Sequence, residues 1–180
     1  MSKKLLRKKL ILIRKKKFKK FENIDTKIFD IVKYYKLKVK TIGAYYPINY
    51  EVDCLSIFKK FLEKNYLISL PVISISNQMN FFNWSLDTYL KVNNMGIPEP
   101  LSKKIVYPDL ILVPLVGFDK NNYRLGYGGG YYDRYLEKLG KFKKFKTIGL
   151  SFSFQKIKKL PLNKFDKKLD FIITENKIYS

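Results

Sequence analysis

A glycine-rich segment with charged and aromatic neighbours is the part of this chain whose residue types are best suited to chemistry. The segment reads RLGYGGGYYDRYL over residues 124–136 and holds four of the chain's nine glycines. Glycine lets a backbone turn tightly and approach a ligand closely, because it carries no Cβ. A helix that begins directly after such a loop offers unpaired N–H groups and a positive dipole end to an anion. We therefore predict a phosphate site in this loop.

Charged side chains beside the loop extend this prediction to a metal. Asp133 supplies a carboxylate shortly after the last glycine, and carboxylate oxygens suit a divalent cation rather than a phosphate. The chain has only four arginines, and two of them, Arg124 and Arg134, flank the glycines. Because the arginine fork can donate two hydrogen bonds to one phosphate, we expect at least Arg124 and Arg7 to face phosphates. For Arg14 and Arg134, a surface or interhelical ion pair is an equally good alternative. Loop and acid together indicate a nucleotide-phosphate site with Mg²⁺.

The spacing of the glycines matches neither of the common phosphate motifs. No Lys-Ser or Lys-Thr pair follows them as in a P-loop, and Tyr131 stands where the dinucleotide motif GxGxxG needs a glycine. The alternative to a phosphate site is a glycine-rich surface turn without a ligand.

The absence of histidine narrows the chemistry further. With no histidine and one cysteine, Cys54, the 180-residue chain has no Ser–His or Cys–His triad, no thiolate metal cluster and no disulfide framework. Carboxylates, lysine, arginine, tyrosine, backbone dipoles and a bound metal remain. Phosphoryl transfer fits that set, because it depends mainly on positioning and charge stabilisation. A hydrophobic content of 46% predicts one globular domain with a sizeable core.

The net charge of +22 has two interpretations. One is a role in binding nucleic acid, as a protein without catalytic activity, or in binding a strongly anionic substrate; the other is the lysine-rich composition that A/T-rich coding produces. The lysines are spread along the whole chain rather than gathered in one stripe, which favours the second, so we expect no specific nucleic-acid partner. The longest apolar run, Leu110 to Phe118, is too short to span a bilayer, and the basic N-terminal segment does not make a signal peptide. We expect a cytoplasmic protein without a membrane partner.

Apolar periodicity and breaker residues predict a single α/β domain over residues 1–180. Its sheet should be mainly parallel with helices on both faces, because strands and helices alternate. The predicted helices are Lys3–Phe21, Thr26–Tyr35, Val52–Lys64 and Gly130–Leu139. The predicted strands are Thr41–Tyr46, Leu67–Ser74, Met79–Trp84, Asp109–Val113, Thr147–Phe152 and Phe171–Thr174, with a loop over 91–108. The glycine loop follows a central strand, so it should lie at the carboxyl edge of the sheet.

The wider segment GFDKNNYRLGYGGGYYDRYL, residues 117–136, resembles the signature of the 5-formyltetrahydrofolate cyclo-ligases, also called 5,10-methenyltetrahydrofolate synthetases. Other pieces resemble that family in the same order along nearly the whole chain. They are Lys3, Lys4, Leu6 and Arg7, then Gly96–Pro100 and Pro108–Leu110, and finally Phe152, Pro161, Asp166, Asp170, Thr174 and Glu175. The resemblance implies a reaction that requires ATP and Mg²⁺. ATP phosphorylates the formyl oxygen of 5-formyltetrahydrofolate, N10 attacks the activated carbon, and 5,10-methenyltetrahydrofolate, ADP and phosphate are released.

The resemblance also implies roles for individual residues. The implied ATP contacts are Lys3, Lys4, Arg7, Arg124, Leu125, Gly126, Tyr127, Gly128, Gly129, Gly130, Tyr131 and Tyr132. Among these, Arg124 and Tyr132 are the implied catalytic residues. The implied Mg²⁺ ligands are Asp133 and Asp166. The implied folate contacts are Tyr46, Glu51 and Met95, where Met95 replaces an aromatic residue of some relatives and Tyr45, Tyr46 or Trp84 could stack on the pterin instead.

The residues themselves leave simpler roles open for the acids. Asp133 is also explained as a favourable charge at a helix start, Asp166 as a surface acid, and Glu51 as an acid near a helix N-terminus. The implied substrates are ATP and 5-formyltetrahydrofolate, with or without a polyglutamate tail, and the implied state is a monomer. Another ATP-using enzyme on the same scaffold remains an alternative.

Overall fold

The computed structural model describes residues 2–18, 23–74, 76 and 78–180. The helices in these ranges are α1 (Lys3–Lys17), α2 (Ile24–Tyr34), α3 (Phe58–Glu63) and α4 (Tyr131–Gly140), with short 3₁₀ turns at Leu55–Ile57 and Ser153–Gln155. The strands are β1 (Thr41–Gly43), β2 (Leu67–Ile73), β3 (Met79–Trp84), β4 (Leu90–Val92), β5 (Pro98–Pro100), β6 (Ile105–Val106), β7 (Leu110–Pro114), β8 (Gly117–Phe118), β9 (Arg124–Leu125), β10 (Lys146–Leu150), β11 (Phe171–Ile173) and β12 (Ile178–Tyr179). No helix in the described ranges is both long and apolar enough to cross a membrane.

The central sheet has eight strands in the order β12-β11-β10-β7-β1-β2-β3-β6. The five inner strands from β11 to β2 pair in parallel, whereas β12, β3 and β6 are added at the edges in antiparallel pairs. Two small hairpins, β4–β5 and β8–β9, lie outside the sheet. The predicted fold class, a mainly parallel α/β sheet, is confirmed.

Alternating side chains of the central strand show why helices cover both faces of the sheet. In β7, Leu110 and Leu112 belong to the core that includes Ile28 of α2 and Phe61 of α3. The intervening Ile111 and Val113 belong instead to the core under α4. A strand with apolar residues on both sides must be buried on both faces, as parallel strands usually are. The predicted two-sided packing is therefore confirmed.

Helix α1 lies outside these two layers and packs against the segments around the glycine loop. Its buried residues Leu6 and Leu10 join Val116, Leu125 and Leu160 in a third, smaller core. The 3.6-residue period places Arg7 and Arg14 on nearly the same side of the helix as these leucines. Docking of α1 therefore brings its basic residues to the carboxyl edge of the sheet. Phe21, which was predicted to extend the apolar face of this helix, lies outside the described residues.

Two predicted segments are wrong in detail. Residues 52–54 are not helical, and a 3₁₀ turn precedes a short α3, so the predicted helix Val52–Lys64 begins too early. The predicted loop over 91–108 contains β5, β6 and the last residues of β4. Pro98 and Pro100 lie in this predicted loop, but they occupy β5, a strand of a separate two-stranded sheet. Proline is tolerated there because an edge strand does not need every N–H for pairing.

Gly43 provides a test of packing at the centre of the sheet. A Cβ at this position would lie 2.8 Å from Cε1 of Phe81 and 2.8 Å from Cγ of Pro108, and both rings are held in place. We expect Gly43→Ala to lower the free energy of unfolding by about 1–3 kcal/mol, because overpacking forces its neighbours apart. Urea denaturation measures this change. Gly126→Ala is the control, because a Cβ there meets nothing within 4 Å; equal stability losses in both variants would contradict the packing argument.

Candidate active site

The candidate site lies where the path of the chain through the sheet reverses. From β1 the chain continues to β2 on one side, and from β7 it continues to β10 and β11 on the other. Because β1 and β7 are neighbours, a crevice opens at their carboxyl ends, where open α/β sheets bind ligands. A cavity of about 870 Å³ occupies this place, with walls that include Tyr45 after β1, Ile73 at the end of β2 and Pro114 at the end of β7.

Nearly all of the residues that the sequence resemblance implies line this cavity. The lining includes Lys3, Arg7, Tyr46, Glu51, Met95, Arg124, Leu125, Gly126, Tyr127, Gly128, Gly129, Gly130, Tyr131, Tyr132, Asp133 and Asp166. Lys4 is the exception, because its side chain is exposed on α1 and is not part of the lining. The structure thus brings the residues predicted for ATP, folate and metal into one space, and their individual roles stay predictions.

The glycine loop presents its backbone to the cavity and to α1. Arg7 Nε donates a hydrogen bond to the carbonyl oxygen of Gly126 at 2.7 Å. Gly128 has a φ of +111°, and a Cβ there would lie 3.3 Å from the guanidinium carbon of Arg7. Gly130, with a φ of +67°, immediately precedes α4. Only glycine adopts these angles easily, so the loop reaches the helix start without side chains that would cover its N–H groups.

The arginines of the loop region do not share one role. Arg124 is 7% exposed, and its guanidinium donates to Asp133 Oδ1 at 2.8 Å and to the carbonyl oxygen of Lys167 at 2.9 Å. Arg134 Nη1 donates to the carbonyl oxygen of Gly129 at 2.9 Å. Arg124 therefore holds the acid that follows the loop, whereas Arg134 holds the loop itself, and both also line the cavity.

The two predicted metal ligands both form ion pairs with cations of the cavity wall. Asp133 Oδ1 accepts from Arg124 and from the backbone N–H of Lys167 at 3.1 Å. Asp166 accepts from Lys3 Nζ at 2.8 Å on Oδ1 and at 2.6 Å on Oδ2, and from the N–H of Asn163 at 2.6 Å. Each acid is thus held in place and its charge is balanced.

This donor set fits a magnesium ion that arrives with its phosphates. In the described part of the chain, no three His, Cys, Asp or Glu side chains are grouped so that they could hold a metal ion by themselves. Asp133 and Asp166 nevertheless line the same cavity as the glycine loop. Mg²⁺ typically takes one or two carboxylates, with phosphate oxygens and water as its other ligands. The site therefore suits Mg²⁺ bound together with a nucleotide and does not suit a resident metal cage.

Tyr132 lines the cavity with its ring, and its hydroxyl lies inside the protein. Its hydroxyl is buried and has no hydrogen-bond partner among the described residues. Burial raises the pKa of Tyr132 well above its ordinary value, and the nearby Glu51 carboxyl acts in the same direction. The hydroxyl therefore keeps its proton at neutral pH. A buried hydroxyl without a partner costs free energy.

Glu51 is the most unusual acid of the cavity, because it is only 4% exposed. Its Oε1 accepts from the Tyr127 hydroxyl at 2.8 Å, and its Oε2 accepts from the N–H of Ile48 at 2.8 Å. Burial raises the pKa of Glu51 to about 7, although these two hydrogen bonds and the positive charge of Arg14 act in the opposite direction. Glu51 therefore titrates near neutral pH, which a simple acid at a helix start would not do.

The raised pKa makes a pH-dependent contribution to stability. Below its ordinary pKa of 4.5, Glu51 is protonated in both the folded and the unfolded chain. Between 4.5 and about 7 the unfolded chain ionises while the folded chain retains the proton, so stability is lost as pH rises. The loss approaches about 3 kcal/mol above pH 7, because one pKa unit corresponds to about 1.4 kcal/mol.

We expect Glu51→Gln to abolish this loss, since glutamine does not titrate. Urea unfolding of both proteins from pH 4.5 to 8 measures it. The stability of the variant relative to the wild type should rise with pH over that range. A difference that stays constant with pH would contradict the raised pKa.

The side chains predicted to contact folate differ in how far they face the cavity. Met95 is 50% exposed at its rim and Tyr46 is half-buried in its wall. Tyr45 also lines the cavity, and its hydroxyl is engaged with the carbonyl oxygen of Val52 at 2.7 Å. Trp84 is not part of the lining and packs edge-on against Phe58 at a ring distance of 5.2 Å. Tyr45 and Tyr46 therefore remain as stacking candidates, and Trp84 does not.

Sequence reasoning missed four polar residues of the cavity lining, Asn93, Glu99, Glu137 and Asn163, of which Glu99 is the most deeply buried. Glu99 is only 3% exposed, and its Oε1 accepts from the N–H of Ile73 at 3.0 Å and from Asn93 Nδ2 at 2.7 Å. Both Glu99 and Asn93 belong to the lining. The position of Glu99 between Pro98 and Pro100 could have identified it as a site residue. The two prolines restrict the backbone, so the side chain between them is held in one direction.

The fold and site together place the chain in the class of α/β enzymes with a substrate cavity at the carboxyl edge of a parallel sheet. The family model of the 5-formyltetrahydrofolate cyclo-ligases matches residues 1–175. A 5-formyltetrahydrofolate cyclo-ligase of Mycoplasma pneumoniae is 38% identical over 138 residues, which cover 76% of this chain and 74% of that protein.

Two solved structures agree with this match. The 5,10-methenyltetrahydrofolate synthetase of Aquifex aeolicus is similar with a TM-score of 0.77 and 32% identity, over 99% of this chain and 92% of that one. The Mycoplasma pneumoniae synthetase has a TM-score of 0.71 and 34% identity, over 97% of this chain and 99% of that one. The chain belongs to the 5-formyltetrahydrofolate cyclo-ligase family, and it is an enzyme of that family. The predicted family is confirmed.

Proposed function

We propose that this enzyme converts 5-formyltetrahydrofolate to 5,10-methenyltetrahydrofolate with the hydrolysis energy of ATP and with Mg²⁺. One observation carries the proposal beyond the family assignment. A single cavity joins a glycine loop at a helix start to a wall of aromatic, apolar and acidic side chains. The glycine loop suits a triphosphate, and the wall of side chains suits a flat ring with amino and N–H donors. Phosphoryl transfer needs both reactants in one water-poor space.

The reaction proceeds in two steps. The formyl oxygen of the folate attacks the γ-phosphorus of ATP, so that an O–P bond forms and the bond to ADP breaks. N10 then attacks the activated carbon, loses its proton, and expels the oxygen as phosphate. Neither step requires histidine, which this chain lacks. Both steps depend on alignment of the reacting atoms and on stabilisation of charge on the phosphate.

The cations of the site would stabilise the triphosphate. Backbone N–H groups of the glycine loop and the start of α4 face it, together with Lys3, Arg7 and Arg124. In the free protein, Lys3 and Arg124 are paired with Asp166 and Asp133. A phosphate can take over these cations while the two carboxylates hold Mg²⁺. When bound there, Mg²⁺ neutralises charge that develops on the transferred phosphate.

The folate would lie against the opposite wall. Glu51 accepts hydrogen bonds from the amino group and ring N–H of the pterin, a pairing that requires ionised Glu51. Tyr46 and Met95 contact the ring, and Tyr132 lines the reacting region. The proposal includes a cytoplasmic monomer that uses folate with or without a polyglutamate tail and has no specific nucleic-acid partner.

The decisive experiment follows the absorbance band of the methenyl product. Purified protein receives 5-formyltetrahydrofolate and MgATP, with a control that lacks ATP. We expect an increase in absorbance only when ATP is present, with one ADP formed for each product molecule. Tight MgATP binding without any product would instead indicate another ATP-using enzyme on this scaffold. RNA binding that weakens steeply with salt and ignores ATP would favour the nucleic-acid alternative.

The metal role of Asp133 can be tested with an isosteric change. Asp133→Asn keeps an oxygen that can accept from Arg124, but it removes the negative charge. We expect kcat to fall about 100-fold or more, since a phosphate bound to a mispositioned metal loses charge stabilisation. Steady-state kinetics over a range of Mg²⁺ concentrations measure this. Asp30→Asn is the control, because Asp30 is an exposed acid of α2 far from the lining. Near-normal turnover of Asp133→Asn would exclude the metal role.

A further inference from the structure

The buried Arg14 of α1 belongs to neither substrate site, yet it connects them. Its side chain is 1% exposed, so its guanidinium charge lies inside the protein. Nε donates to the carbonyl oxygen of Asn49 at 2.9 Å, and Nη1 donates to that of Leu115 at 2.9 Å. Nη2 donates to the hydroxyl of Tyr127. One side chain therefore holds the turn before Glu51, the segment after β7 and the glycine loop.

The hydroxyl of Tyr127 links Arg14 to Glu51 through a second hydrogen bond. A phenol has one proton, and Arg14 can only donate, so the Tyr127 hydroxyl accepts from Arg14 and donates to Glu51 Oε1 at 2.8 Å. The direction of the chain Arg14–Tyr127–Glu51 is thus fixed. Tyr127 belongs to the glycine loop, whereas Glu51 follows β1, so the two predicted substrate sites share one hydrogen-bonded path.

The Glu51 carboxyl is held on its other side as well. Its Oε2 accepts from the N–H of Ile48, and its own N–H donates to the carbonyl oxygen of Ile48 at 3.0 Å. Asn49 and Tyr50 between them have φ angles of 48° and 62°, a left-handed pair that costs energy without support. Because Arg14 also donates a hydrogen bond to the carbonyl oxygen of Asn49, Arg14 stabilises both this turn and the Glu51 that follows it.

We propose that Arg14 is a positioning residue that acts through Tyr127 on Glu51, so that the glycine loop and the folate-binding acid take their working positions together. This inference rests on the proposed function, in which the loop binds ATP and Glu51 binds the pterin. The conformation of the glycine loop and the position of the Glu51 carboxyl then depend on each other. By reciprocity, ATP on the loop should tighten folate binding by the same factor as folate tightens ATP binding.

Other titratable groups around Glu51 do not compete with it near neutral pH. They are Arg14 from α1, Tyr45 and Cys54 from the segment after β1, and Tyr127 and Tyr132 beside the glycines. Burial raises the pKa of the three tyrosines and of the Cys54 thiol, so all four stay protonated. The hydrogen bond from Tyr127 lowers the pKa of Glu51. Its removal should therefore raise that pKa further.

The test uses Tyr127→Phe in the full-length enzyme, with Tyr135→Phe as the matched control. Both changes delete one tyrosine hydroxyl, but that of Tyr135 is buried without a hydrogen-bond partner among the described residues. For Tyr127→Phe we expect KM for 5-formyltetrahydrofolate to rise about tenfold while kcat stays within about twofold. The midpoint at which kcat/KM for the folate rises with pH should move to higher pH. Tyr135→Phe should change neither quantity.

A second comparison separates positioning from a general structural effect. In the Glu51→Gln background, Tyr127→Phe should add less than about a twofold increase in the folate KM, because its target is gone. Arg14→Lys keeps the charge but loses the fork, and it should move the pH midpoint in the same direction as Tyr127→Phe. An unchanged folate KM and pH midpoint in Tyr127→Phe, or full additivity with Glu51→Gln, would overturn the proposal. Wild-type turnover is measured first, so the absence of any product would overturn the proposed function separately.

Discussion

The docking of α1 over the glycine loop is the contact on which the rest of the site depends. Leu6 and Leu10 bury against the strand and loop residues beside the glycines, and Arg7 bonds the carbonyl of Gly126. A Cβ at Gly117 would lie 2.6 Å from Leu10, so only glycine lets the helix come this close. The sheet forms a crevice between β1 and β7, where the path of the chain through the sheet reverses. Helix α1 turns that crevice into a walled cavity and contributes its cations.

Charge balance explains how a basic chain keeps acids beside the glycine loop. Asp133 and Asp166 would be repelled by a phosphate on their own, but each is paired with a cation of the cavity wall. The pairs hold the two carboxylates in place and balance their charge. Glu51 is different, because its cation acts through a tyrosine hydroxyl and its burial is nearly complete. The same cavity thus holds acids of two kinds, two that are paired directly with a cation and one that is buried and linked to its cation through a hydroxyl.

The sequence predicted those parts of the site that depend on local chemistry. These parts are the glycines with positive φ, the start of α4 and the adjacent Asp133. Each depends on residues next to it in the chain, so the sequence alone can predict it. Tertiary packing decided the rest. Arg14 stands out in the sequence as one of four arginines, but its burial depends on partners 35 to 113 positions away, which local patterns do not reveal. The strand Pro98–Pro100 was missed for the same reason, because proline signals a local break and pairing with β4 overrides it.

The distance along the chain between α1 and its partners has a consequence for synthesis on the ribosome. Arg7 bonds a residue 119 positions later, and Lys3 pairs with one 163 positions later. Helix α1 is translated long before either partner, so its apolar stripe and its cations stay uncovered while most of the sheet is still being made. A nascent chain with an early basic amphipathic helix would attract chaperones or anionic surfaces. During synthesis, the contact between Lys3 and Asp166 therefore cannot form before the segment that carries Asp166 has appeared.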